Sequence, residues 1–170
     1  MEPPMSMKPI EQLRYLILAA QREGNRFLAE ALQPLALTPS QAEALRVLHD
    51  WQPLALIELG SLLVCEQGSP SRLVAGLIAA GYVAREPSPE DKRKVVLTLT
   101  PRGHEAAAHV ATVESALYAT MNALLPDQQI ESVLPRLWTI VHGRPAGDAL
   151  ARRLRRLPLA SPQENTDAPG

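Results

Sequence analysis

The chain holds one cysteine, one phenylalanine and 4% aromatic residues among its 170 positions. A single thiol, Cys65, excludes an internal disulfide framework and suits a reducing compartment. With so few rings and 46% hydrophobic residues, the composition points to one domain-sized, Ala/Leu-rich helical core. No apolar run approaches the roughly 20 residues that a membrane-spanning helix needs. MEPPMSMKPI lacks a signal peptide's basic start and apolar middle, so the expected compartment is the cytoplasm. There is no P-loop, no G-x-G-x-x-G, no H-E-x-x-H, no Cys/His ribbon and no serine in a nucleophile elbow. The expectation is therefore a protein that is not an enzyme and holds no cofactor or metal. His104 and His109, with Glu105, share a helix at a ligand-like spacing, but the four histidines are scattered and read as solvated or capping groups.

An excess of one charge is lacking as well. A formal net charge of −1 excludes a generic polycation, although the average hides a pattern. Residues 66–104 sum to +2, with Arg72, Arg85, Lys92, Arg93, Lys94 and Arg102 set against Glu66, Glu86, Glu90 and Asp91. Residues 143–170 also sum to +2, which leaves −5 on the remainder.

Apolar residues recur at three- and four-residue steps from Lys8 to Leu32 (Ile10, Leu13, Ile17, Ala20, Phe27, Leu28, Ala31), the period of an amphipathic helix that stops before Pro34. Thr38-Pro39-Ser40-Gln41 reads as a capping box with proline in the first helical position. That helix ends near Trp51-Gln52-Pro53. Leu54–Leu56 reads as a short strand, and Ile57–Val64 as a compact helix. Ser69 and Pro70 open the next helix, whose apolar face is Leu73, Val74, Leu77 and Ile78, with Gly81 just past its end. Tyr82–Glu86 and Val95–Leu99 flank the charged loop PSPEDKRK and predict a β-hairpin. Thr100-Pro101 starts a long helix broken at Pro126, Asp127 caps another with Pro135 inside it, and beyond Gly143 the periodicity weakens into what reads as a mobile tail. Within that tail Arg152, Arg153, Arg155 and Arg156 with Leu150, Leu154 and Leu157 form a short basic amphipathic segment, read either as a helix that touches phosphate or a partner or as a solvated, partly ordered tail.

The order helix, capped helix, charged hairpin is that of a winged helix-turn-helix, which reads duplex DNA with one element in the major groove and another at the flanking backbone and minor groove. The fold expectation is mostly α with a small β-hairpin wing. Residues 8–36 and 101–142 form a helical dimerisation region, 37–100 the DNA-binding domain, and 143–170 the tail. The apolar stripes of the terminal helices are too extensive for so small a core, so a second copy is the expected cover.

Arg93 is the first candidate contact, because a guanidinium at a hairpin tip can enter a narrow minor groove. Asp91 is read as orienting the tip through an ion pair with Arg93 or Arg85. Arg85, Lys92 and Lys94 complete the cationic wing. Ser69, Ser71 and Arg72 occupy the first turn of the reading helix, where unpaired N–H groups favour phosphate. Arg72 is read either as a guanine or phosphate contact or as a salt bridge to a residue such as Glu66. Cys65, just before that helix, is read as a buried, inert thiol, since no basic neighbour or second cysteine would activate it.

LTPSQAEALRVL, SPSRLVAGLIAAGYVARE and PSPEDKRKVVLTLTPRG resemble the MarR (multiple-antibiotic-resistance regulator) family of bacterial winged helix-turn-helix transcription regulators. The resemblance covers about Ile10 to His142 and is most specific at Asp91-Lys92-Arg93 and LTPRG. It implies a homodimeric repressor of a pseudo-palindromic operator, released by small phenolic or other lipophilic effectors, by oxidation or by metal. It also implies an effector pocket where the first helix meets the winged domain, with Arg14, Tyr15, His49 and Trp51 as candidate lining. One departure stands out: the outer face of the reading helix carries Ala75, Gly76, Ala79 and Ala80 where the family commonly has polar and basic residues. This keeps open an alternative, a protein-interaction module on a degenerate winged helix.

Overall fold

Short-range hydrogen bonds set the helix starts. Thr38 Oγ1 accepts from the Gln41 N–H at 3.2 Å, and Gln41 Oε1 accepts from the Thr38 N–H at 2.9 Å, closing the capping box. Ser69 Oγ accepts from the Arg72 N–H at 3.4 Å, and Thr100 Oγ1 from the Gly103 N–H at 3.0 Å.

The structure, a computed structural model, describes residues 7–65 and 68–156. Its elements in chain order are α1 (Pro9–Ala31), a 3-10 turn (Gln33–Leu35), α2 (Pro39–Trp51), α3 (Leu56–Leu62), α4 (Pro70–Ala79), β1 (Val83–Pro87), β2 (Val95–Leu99), α5 (Pro101–Leu124), α6 (Asp127–Val141) and α7 (Pro145–Arg156). β1 and β2 pair antiparallel, with Val83 opposite Leu99 and Pro87 opposite Val95. The expected strand at Leu54–Leu56 reduces to one bridge between Leu54 and Leu97, because Leu56 already starts α3.

The core lies in the winged domain. Leu45, Val47, Leu48, Leu59, Leu62, Val74 and Leu77 are fully enclosed, and Ala106, Ala107, Val110 and Val113 of α5 close over them. Partly buried Arg46 and Glu114 pair at 3.2 Å and tie α2 to α5. Burial raises the Glu114 carboxyl above its ordinary range, and Arg46 opposes that shift.

Gly103 explains the LTPRG motif. A Cβ there would sit 2.0 Å from the Tyr82 carbonyl oxygen, so only glycine lets α5 start against the base of the hairpin. Thr100 completes the joint by donating its hydroxyl to the Gly81 carbonyl at 2.7 Å.

α1 and α6 have no buried residue of their own. Ile10 is 70% exposed, Leu16 64% and Leu134 57%, so both apolar stripes lie open.

Two local expectations need correction. Asp127 is the first helical residue of α6, not its cap; Pro126 takes the cap position and makes no side-chain bond there. The stretch 145–156, expected within a mobile tail, is the helix α7, which packs on α3 and ends in Arg153, Arg155 and Arg156. Two contacts dock it: Arg152 Nη1 donates to the Ser61 carbonyl at 3.1 Å, and Arg153 pairs with Glu43. Residues 157–170, the rest of that expected tail, lie outside the described residues.

Candidate nucleic-acid interface

α3 and α4 form the helix-turn-helix. Leu73, Val74 and Leu77 anchor α4 in the core, which turns Ser71, Arg72, Ala75 and Ala79 outward. The N-termini of α2 and α4 open onto one recess of about 500 Å³, lined by Thr38, Gln41, Gly68, Ser69, Arg72 and Leu73. Two helix N-termini and a guanidinium around one recess suit a phosphate oxygen. Thr38 and Gln41 were legible in sequence only as a cap; their place beside Arg72 is a tertiary result. No carboxylate among the described residues pairs with Arg72. Its other expected partner, Glu66, lies outside them, as does Gln67.

The wing tip is built around Asp91. Its Oδ1 accepts from the Arg93 N–H at 3.1 Å and from Arg93 Nε at 3.2 Å, and its carbonyl accepts from the Lys94 N–H at 2.8 Å. Ser88 closes the loop from the other strand, donating its N–H to the Lys94 carbonyl at 2.8 Å, while its Oγ accepts from the Glu90 N–H at 3.3 Å. Of the two anchors expected for Asp91, Arg93 holds it. The Arg93 side chain nevertheless remains 92% exposed, and Lys92 and Lys94 are exposed on either side of it. Arg85 is exposed on β1 opposite Leu97.

Arg102, counted in the basic segment, is spent on structure. It donates to the Ala80 carbonyl at the end of α4 at 2.9 Å, and its guanidinium lies 4.8 Å from the Tyr82 ring centre. The Tyr82 hydroxyl donates in turn to the Leu35 carbonyl at 3.1 Å.

The four effector-pocket candidates fall into two surroundings. The Arg14 guanidinium lies 4.8 Å from the Tyr15 ring centre, and Arg14 also borders an apolar recess of about 480 Å³ with Ile10, Leu13, Ile17 and Ile140. His49 pairs through Nδ1 with Asp50 at 3.0 Å and meets His104 edge-on at 6.1 Å, while Trp51 packs on the core. Polar and ring contacts do not link one pair to the other. No cluster of three metal-ligating side chains occurs among the described residues.

Cys65 departs from the expectation of a buried thiol: the residue is exposed. The protein packed around its sulfur, and next the Glu43 carboxylate, push its pKa up to about 11. Little thiolate therefore forms near neutrality.

Residues 37–95 match the MarR family. The multiple antibiotic resistance protein MarR of Salmonella typhimurium is 30% identical over 95 residues, 56% of this chain and 64% of the relative. Its Escherichia coli counterpart is 33% identical over 88 residues, 52% of this chain and 61% of the relative. The matched part thus spans somewhat under two thirds of those relatives' length. Among solved structures, a mutant of E. coli MarR complexed with operator DNA superposes with a TM-score of 0.68 at 26% identity, covering 78% of this chain and 95% of that one. The transcriptional repressor CouR bound to a 23-mer DNA duplex superposes at 0.69 with 24% identity, covering 84% of this chain and all of that one, a likeness of fold.

Proposed function

We propose that the chain, whose residues 37–95 match the MarR family, is a homodimeric transcription regulator that represses by occupying a pseudo-palindromic operator. The observation that carries this reading is the wing tip, where Asp91 is consumed in shaping the loop while the cations beside it stay in solvent. With its nearest anion committed, the tip presents Lys92, Arg93 and Lys94 to a phosphate-lined groove. Ser69, Ser71 and Arg72 at the start of α4 serve as the second contact, placed at a major-groove edge and the adjoining phosphates. The alanine-faced remainder of α4 leaves few side chains for direct readout, so specificity rests on DNA shape, thymine methyls and the wing.

The dimer follows from α1 and α6. Each carries a strongly amphipathic stripe, yet neither buries a residue within one chain. A second copy that covers these faces sets two reading heads about 34–36 Å apart, one turn of the duplex. The apolar recess at Ile10, Leu13, Ile17 and Ile140 suits a lipophilic effector or the partner's own side chains. An effector acts here only through unequal affinity for the DNA-competent and incompetent dimers.

A mobility-shift titration against the duplex upstream of the chain's own coding region tests the reading. Binding should weaken linearly in log K against log salt, and Arg93→Ala should remove most of it. Salt-insensitive binding, or none to any duplex after selection from random sequences, would instead favour the interaction module suggested by Ala75 and Ala79.

A further inference from the structure

Glu43 is 9% exposed and lies on α2, facing the turn of the helix-turn-helix. Its Oε1 accepts from the Val64 N–H at 2.9 Å and its Oε2 from the Cys65 N–H at 2.8 Å. These two donors lie just past Leu63, the residue that follows α3, and a buried carboxylate that takes both holds the chain leaving α3 in one place. Such a carboxylate needs a counter-charge. Among the described residues none comes from the winged domain. Arg153 of α7 supplies it from 110 residues away, with Nη1 at 2.7 Å from Oε1 and its own side chain 28% exposed. Arg152, one residue earlier, donates to the Ser61 carbonyl on α3.

The other end of α7 is equally constrained. A Cβ on Gly147 would lie 2.0 Å from the Val141 carbonyl oxygen, so the first turn of α7 is pressed against the last turn of α6. The Arg144 N–H donates to that same carbonyl at 3.1 Å. α7 therefore runs from the end of the scaffold helix α6 to the turn that leads into Ser69, the cap of α4.

We propose that α7 is a strut that sets the reading helix relative to the scaffold, and that Arg153 and Glu43 are positioning residues for DNA reading. The inference rests on the DNA-binding reading above. It adds a second connection between α6 and α4, independent of the covalent path through α5, and it assigns a role to residues that face no DNA. A change at α6 moves α7 as a body, and the Arg153–Glu43 pair carries that movement to Val64 and Cys65.

The test uses the full chain with Arg153→Gln, Arg153→Lys, Glu43→Gln and the double substitution Glu43→Gln, Arg153→Gln. Melting temperature and sedimentation first establish that each variant is folded and assembled as the parent is. Amide hydrogen exchange at Val64 and Cys65 and operator affinity are then measured. Arg153→Gln should raise exchange at both amides at least about tenfold and weaken operator binding by about tenfold. Arg153→Lys should restore most of each, and the double variant should show less than the sum of its two single losses. Unchanged exchange in Arg153→Gln overturns the strut, and faster exchange with parental operator affinity overturns the positioning role. If the parent itself binds no duplex, the regulator reading fails on that result, and exchange alone decides whether α7 holds the turn.

Discussion

Asp91 holds Arg93 twice through one oxygen, at the backbone N–H (3.1 Å) and at Nε (3.2 Å), and leaves the Arg93 side chain 92% exposed. The acid shapes the loop and the base remains available. An ion pair this exposed adds little stability, so its value lies in presentation of the tip.

The two residues should accordingly separate in a salt titration. Arg93→Ala is expected to cost about 1–3 kcal/mol of operator binding and to reduce the salt slope by about 1. Asp91→Ala, which loses the anchor but removes no cation, is expected to weaken binding by about 1 kcal/mol with the slope unchanged. Equal slopes for the two variants would show that Arg93 makes no phosphate contact.

Gly103→Ala should be among the most damaging single-methyl changes in the chain. The added Cβ has no room against the Tyr82 carbonyl, and more than about 3 kcal/mol should be lost in urea unfolding. Thr100→Ala, which removes the cap on Gly103 and the hydroxyl bond to the Gly81 carbonyl at the same joint, should cost about 1–2 kcal/mol. The ratio of the two reports how much of the joint is steric.

Placing a charge on the open stripes should break the dimer. Leu13→Asp together with Leu137→Asp is expected to give a folded protomer by sedimentation, because neither residue belongs to the core of the winged domain. Operator binding should fall with it, since one head contacts half the phosphates. A parent that already sediments as a protomer would remove the dimer from the account.

Cys65 makes a pH-dependent prediction with a definite sign. Its folded pKa of about 11 lies above the ordinary thiol value of 9.0, so the folded chain resists forming the thiolate. The thiol's contribution to stability is complete below about pH 9 and is lost as the pH climbs toward 11. Alkylation by iodoacetamide should be slow at neutral pH and accelerate about tenfold per pH unit up to that range. Fast labelling at pH 7 would show that the sulfur is neither desolvated nor near Glu43's charge.

Tyr82, Arg102 and Glu43 mark where reading by pattern stopped. In sequence Arg102 is one more cation of a basic segment, yet it caps α4 and stacks on Tyr82. Glu43 sits among apolar residues of α2 with nothing to suggest that it would serve a turn twenty residues on. α7 was hidden for a related reason: alternating arginine and leucine after a glycine, a proline and a weakened period looks the same whether or not a groove exists to receive it. Cys65 reads as a buried thiol because no basic neighbour or second cysteine would activate it, but α3 ends at Leu62 and the residue is exposed.

What the amino-acid order determined alone are the features closed within a few residues: the caps at Thr38, Ser69 and Thr100, the helix stops at proline and glycine, and the Asp91 loop. Each depends on a hydrogen bond or a fixed φ between residues at most three apart, with no distant segment required. Only the tertiary structure decided which cations stay in solvent, which side chains of α2 and α4 share a recess, and that Arg153 neutralises Glu43. Those outcomes turn on burial and charge between segments far apart in the chain, and no local pattern encodes which buried charge will find which partner.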